Sequence, residues 1–170
     1  MNGLDDVSTA IDHNARNNML RLTARYAIAL LAACHTATAP RAPEFFPAPP
    51  GPLQALPFSE AVAANGLLFV AGQVGNLPGT LELAPGGIQA EAKQALANLE
   101  AVLERHGCSL RDVVKCTVFL ADIAEWPAFN EAYRQVFHAP FPARSALAAS
   151  GLALRARVEV ECFAVLPSAR

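Results

Sequence analysis

The sequence predicts one α+β domain whose strands and helices follow in the order ββαβαββ. Three observations carry that prediction. Two short apolar runs, residues 58–64 and 67–71, flank Asn65-Gly66, a dipeptide suited to the left-handed dihedrals of a two-residue hairpin turn. Ile88, Ala92, Leu96, Leu99 and Leu103 recur at steps of three and four residues, the period of an amphipathic helix. Residues 113–120 (VVKCTVFL) are apolar or β-branched at nearly every position, as in a central strand covered on both faces.

Residues 1–34 read as a polar extension followed by a lipoprotein-type signal. Arg21 and Arg25 precede an apolar stretch that closes on Leu31-Ala32-Ala33-Cys34. Charge, then apolar residues, then small residues is the plan of a secretory signal, and the stretch is shorter than the roughly 20 apolar residues that span a bilayer. Its last four residues resemble a lipobox, which puts a lipid anchor on Cys34, a start at Met19, and the protein in the periplasm or at a membrane. The alternative is an Ala-rich capping helix on a cytoplasmic protein. Residues 35–52 read as a Pro-rich linker, since seven of the thirteen prolines fall between Pro40 and Pro57 and proline lacks the N–H that inner strands and helices use. The alternative is an extended arm lying on the domain through Phe45 and Phe46.

Residues 53–167 form the domain. After the hairpin, residues 72–87 hold five glycines and two prolines and are loop. Gly107 follows the first helix as a stop. A second helix presents Trp126, Phe129, Tyr133 and Phe137 on one face, with Pro127 in its first turn. Residues 145–149 and 157–165 are the last strands. In the final one Val158, Val160, Cys162 and Ala164 face one way, and Glu159 and Glu161 the other. Both helices can lie on one face of the sheet.

Composition excludes several classes. The chain is 53% hydrophobic and 16% charged, with a net charge of −2, a mean hydropathy of +0.26 and a pI near 6.1. So apolar a chain is not disordered, and it lacks the basic face of a nucleic-acid binder. Cys34, Cys108, Cys116 and Cys162 form no C-x-x-C pair, and Cys116 and Cys162 are expected as small core hydrophobes. His13, His35, His106 and His138 show no metal-ligand spacing, and the phosphate-cradling and nucleophile-elbow motifs are missing. No metal or cofactor is expected.

Arg144 stands out in Phe141-Pro142-Ala143-Arg144-Ser145, where prolines fix the backbone before a strand. A guanidinium held there suits a bidentate grip on a carboxylate. Glu159 and Glu161 meet solvent, pair with a cation or act on a substrate; the structural alternative is an ion pair with Arg144.

Phe58-Ser59-Glu60-Ala61-Val62, Ala71-Gly72-Gln73, Asn98-Leu99, residues 112–120, Phe129-Asn130-x-x-Tyr133, Pro142-Ala143-Arg144-Ser145 and Val158-Glu159-Val160-Glu161, in that order, resemble the RidA (YjgF/YER057c/UK114) family. The resemblance implies a chorismate-mutase-like fold with a mixed sheet, assembled as a homotrimer with ligand clefts between subunits. It implies hydrolysis of reactive enamines and imines, the 2-imino acids, to 2-keto acids and ammonia, without a cofactor. Residue by residue, Arg144 matches the arginine that clamps the substrate carboxylate and Glu159 the glutamate that positions water. Asn130 matches an asparagine of the pocket wall, and Gly72 the backbone neighbour of the pocket. Deaminating members usually carry tyrosine, serine and cysteine where this chain has Phe58, Ala71 and Ala146. Three pocket positions have therefore turned apolar, which points to a bulkier or more apolar imino acid, slower turnover, or a trimer that binds keto or imino acids without turnover. The endoribonuclease label that the family has carried is disfavoured by the acidic balance.

Overall fold

A computed structural model describes residues 42–167. The leader, Met19 and Cys34 lie outside the described residues, which hold six strands and two α-helices: β1 (Glu44–Pro47), β2 (Ser59–Ala64), β3 (Leu67–Val74), α1 (Ile88–Arg105), β4 (Val113–Leu120), α2 (Trp126–Val136), β5 (Ala143–Ala148) and β6 (Val158–Val165). The strands form one sheet in the order β1-β2-β3-β6-β4-β5. Only β4 and β5 run parallel, so the sheet is mixed and the fold is α+β, with the expected ββαβαββ order running from β2 to β6.

Local sequence explains most elements. Asn65 and Gly66, at φ 50° and 79°, turn β2 into β3. Ala92, Ala95, Leu96, Leu99, Val102 and Leu103 are the buried stripe of α1. Val158, Val160, Cys162 and Ala164 of β6 are buried beside Cys116, Val118 and Leu120 of β4. These side chains and Phe129, Ala132 and Tyr133 of α2 make one core between the helices and one face of the sheet.

Three expectations need correction, and that for β4 is met on one face. The Pro-rich linker is not wholly a spacer, because Glu44–Pro47 pairs antiparallel with β2 as the edge strand, the place where a sheet tolerates proline. Phe46 lies against His106, ring centroids 4.2 Å apart, as the arm alternative anticipated for it, whereas Phe45 is exposed. β4 is central, and within the single chain one of its faces is covered: its burial alternates and Val114 is 46% exposed, because both helices occupy that one face. Trp126 starts α2 and is exposed, so the buried face of that helix begins at Phe129. Cys116 and Cys162 are more than core fillers: they lie directly opposite on β4 and β6 and are joined by a disulfide.

Candidate active site

Two of the three bulges of the sheet shape the site. Between Val70 and Gln73, β3 places Ala71 and Gly72 against a single residue of β6, and this extra length turns the backbone of Gly72 towards Glu159. A Cβ on residue 72 would lie 2.7 Å from the Glu159 carboxyl carbon and overlap its Oε1; glycine makes room for the carboxylate. The second bulge, where Phe46 and Pro47 of β1 face Ala61 and Ser59, frees Glu60 to turn inwards. There Glu60 accepts from Arg105 Nη2 at 2.7 Å and lies 3.0 Å from His106 Nε2.

Glu159 is half-buried at the wall of a cavity of about 600 Å³ that Phe58, Ala71, Gly72, Leu81 and Leu154 also line. Burial pushes its carboxyl above the ordinary range, and the charge of Glu161 on the same strand face adds to the shift. Both raise the carboxyl towards the basicity a water-activating group needs.

The loop after β3 is fastened to α1. Asn98 Nδ2 donates to the carbonyls of Val74 at 3.0 Å and Asn76 at 2.9 Å. A Cβ at Gly75 would come within 2.5 Å of the Glu91 carbonyl oxygen, and buried Glu91 accepts the backbone N–H of Arg157 at 2.8 Å, just before β6. Helix α1 thus sets the height of both strands that carry Gly72 and Glu159.

Arg144 occupies a different place. On β5 it pairs in register with Cys116, in the row of core-facing residues. Its Nη2 donates to Asn130 Oδ1 at 2.7 Å, and its guanidinium carbon lies 4.4 Å from the centre of the Tyr133 ring, a cation–π distance. Ala146, two residues on, points to the same side and packs against the core. The Tyr133 hydroxyl beside this group is buried and has no hydrogen-bond partner among the described residues.

The sequence-predicted residues therefore fall into two groups. Phe58, Ala71, Gly72 and Glu159 come together around the cavity; Arg144, Asn130 and Ala146 gather against α2. Glu159 alternates with the buried Val158 and Val160, so it projects from the sheet face opposite the one that holds Arg144. The intrachain ion pair between Arg144 and either glutamate does not form. Sequence reasoning missed Glu60, Asn76, Asn98 and His106 as parts of the cavity surroundings, although Glu60 and Asn98 both stood in fragments of the family-like pattern.

Comparison with known proteins places the chain in a family. A family model described as Endoribonuclease L-PSP matches residues 51–166. The chain is 44% identical over 109 residues to a 2-iminobutanoate/2-iminopropanoate deaminase of Capra hircus, covering 64% of this chain and 80% of that one. It is 44% identical over 124 residues to a RutC family protein of Synechocystis, covering 72% and 92%. The crystal structure of RidA from an Antarctic Psychrobacter is 34% identical, with a TM-score of 0.63, covering 71% of this chain and 94% of that one. With the family model spanning the domain and these relatives covering most of it, the chain belongs to the RidA (YjgF/YER057c/UK114) family.

Proposed function

We propose that the protein hydrolyses 2-imino acids to 2-keto acids and ammonia in clefts between the subunits of a homotrimer. The observation that carries this reading is that a glycine-cradled, half-buried Glu159 and the Arg144 guanidinium stand on opposite faces of one chain's sheet. A second copy of the chain supplies the Arg144 that a cleft at Glu159 needs. The helix-free face, with Phe69 and Phe163 in ring contact at 4.9 Å, gives copies an apolar surface to share. Similarity to enzymes named for 2-iminobutanoate and 2-iminopropanoate deamination supports the chemistry.

In this reading Arg144 holds the carboxylate through its planar fork, positioned by Asn130 and the Tyr133 ring. The Glu159 carboxylate takes a proton from water as the water oxygen bonds to the imine carbon and the C=N π pair moves to nitrogen. Glu159 passes that proton to the nitrogen, which gives a carbinolamine. The hydroxyl proton then moves to the amino group, the C–N bond breaks, ammonia leaves, and the C–O bond becomes the keto carbonyl. Among the cavity residues, the one cation, Arg105, is already paired with Glu60, which speaks against a role in gripping RNA phosphates.

The test is direct. Purified protein should accelerate loss of 2-iminopropanoate or 2-iminobutanoate generated by a coupled amino-acid oxidase, and Arg144→Ala should abolish the effect. No acceleration over buffer with any imino acid refutes hydrolysis; keto-acid binding by calorimetry in that case leaves a binding trimer.

A further inference from the structure

The cavity at Glu159 is larger and more apolar than the reacting atoms of a small imino acid require. Leu56, Phe58, Leu81 and Leu154 all border it and are 46%, 43%, 43% and 39% exposed. Large apolar side chains left partly in water around one concavity mark a place where apolar surface is meant to be covered. Leu53 and prolines 49, 50 and 52 complete the wall, so the segment leading from β1 to β2 belongs to the cavity rather than to a free spacer.

Leu154 adds an independent observation. It sits at φ 57° and the following Arg155 at φ 61°, a left-handed conformation that is costly for a bulky side chain and persists only where its surroundings hold it. The backbone here is bent so that a leucine borders the cavity, at a position where glycine or asparagine would be easier to accommodate.

The polar donors of the cavity are already committed. The Asn98 amide is used by the Val74 and Asn76 carbonyls, the Asn76 amide by the Thr80 carbonyl at 2.9 Å, and the Gln73 amide by the Ala71 carbonyl at 3.1 Å. Glu60 is held by Arg105 and His106. Among the described residues, Glu159 is left as the carboxylate without a side-chain partner at one end of a space lined mainly by apolar side chains.

Building on the imine-hydrolysis reading, we propose that this cavity is a side-chain pocket that selects 2-imino acids with a large apolar side chain, those of the leucine, methionine and phenylalanine type, over 2-iminopropanoate. With the imine carbon at the Glu159 end, the substrate side chain runs towards Leu81 and Leu154. A methyl group would leave most of that wall in water, whereas each further buried methylene improves transition-state binding about fourfold. Phe58 and Ala71 belong to the same design: an unpaired hydroxyl at either position would be costly beside an apolar side chain.

The experiment compares kcat/KM for imines generated in situ from alanine, leucine, methionine and phenylalanine. The expected result is a preference of about tenfold or more for the leucine- or phenylalanine-derived imine over the alanine-derived one. Leu81→Ser and Leu154→Gly should both narrow that ratio; the second also suits the left-handed backbone, so it removes the side chain without straining the fold. An alanine-derived imine turned over as well as the large ones, or a ratio unmoved in both variants, overturns the pocket. Calorimetry with 2-keto acids separates this failure from failure of the hydrolysis reading. If no imine is hydrolysed, tighter binding of phenylpyruvate than of pyruvate still supports the pocket, and equal or weaker binding overturns it.

Discussion

Gly72 and the Glu159 carboxylate crowd the same small volume, and the lack of a side chain at residue 72 is what lets both remain there. Gly72→Ala should push Glu159 aside with little effect on thermal stability, because the obstructing atoms are the end of a side chain that can rotate. Steady-state kinetics should then show a loss of about a hundredfold in kcat/KM, the scale of a misplaced acid–base group; full activity would show that Glu159 does not act from this position. The raised Glu159 carboxyl makes a second prediction. The acid limb of the pH–rate profile should lie above the ordinary carboxylate range, first through burial and then through Glu161. Removing that charge with Glu161→Gln should move the limb to lower pH. For stability the sign is the reverse of the usual carboxylate case. The folded chain holds this proton more tightly than the unfolded chain does, so stability declines as pH rises through the raised value. Glu159→Gln should accordingly raise the melting temperature at neutral pH while removing activity, which calorimetry and kinetics on one sample can check.

Helix α1 is the element that sets the site, because its residues hold the loop after β3 and the start of β6 from one side. Asn98→Ala leaves the carbonyls of Val74 and Asn76 without their shared donor, at a cost of about 1–3 kcal/mol. Chemical denaturation should register that loss, and an unchanged midpoint would mean that water replaces the amide. Strand β1 is the other element with a measurable role. It covers the outer edge of β2, and a bare edge invites association. A chain beginning at residue 42 should melt higher and aggregate less than one beginning at residue 53; equal behaviour would place the folding boundary at 53. Most elements were legible because their signals are local: Asn65-Gly66 for the hairpin, the three-and-four spacing for α1, strict alternation for β6. β1 was not legible, since proline argues against a strand everywhere except at an edge, and whether a segment lies at an edge is a property of the assembled sheet. Trp126 failed for a related reason, because helical spacing places a residue on a face but does not say how far the core extends along it.

At the scale of the whole molecule, the separation of Arg144 from Glu159 makes a prediction about assembly. If each site takes its arginine from one copy and its glutamate from another, co-expressed Arg144→Ala and Glu159→Gln chains should form mixed assemblies with restored imine hydrolysis, although neither variant is active alone. Absence of restoration in mixed assemblies verified by mass spectrometry would argue that both residues serve one chain's site. The sequence by itself determined the fold class and the ββαβαββ order, and it named the candidate site residues. Hydrophobic period and turn chemistry are written locally, and the family pattern is carried by a few ordered motifs. Only the tertiary structure decided that Arg144 lies over Tyr133 on the helix side while Glu159 faces the other way, that Cys116 meets Cys162, and that five scattered apolar residues, Leu53, Leu56, Phe58, Leu81 and Leu154, wall one cavity. Those facts depend on strand register and on bulges at residues 60 and 71–72. A shift of one residue in register moves a side chain to the opposite face of the sheet, and pairing between strands distant in sequence is what sets that register.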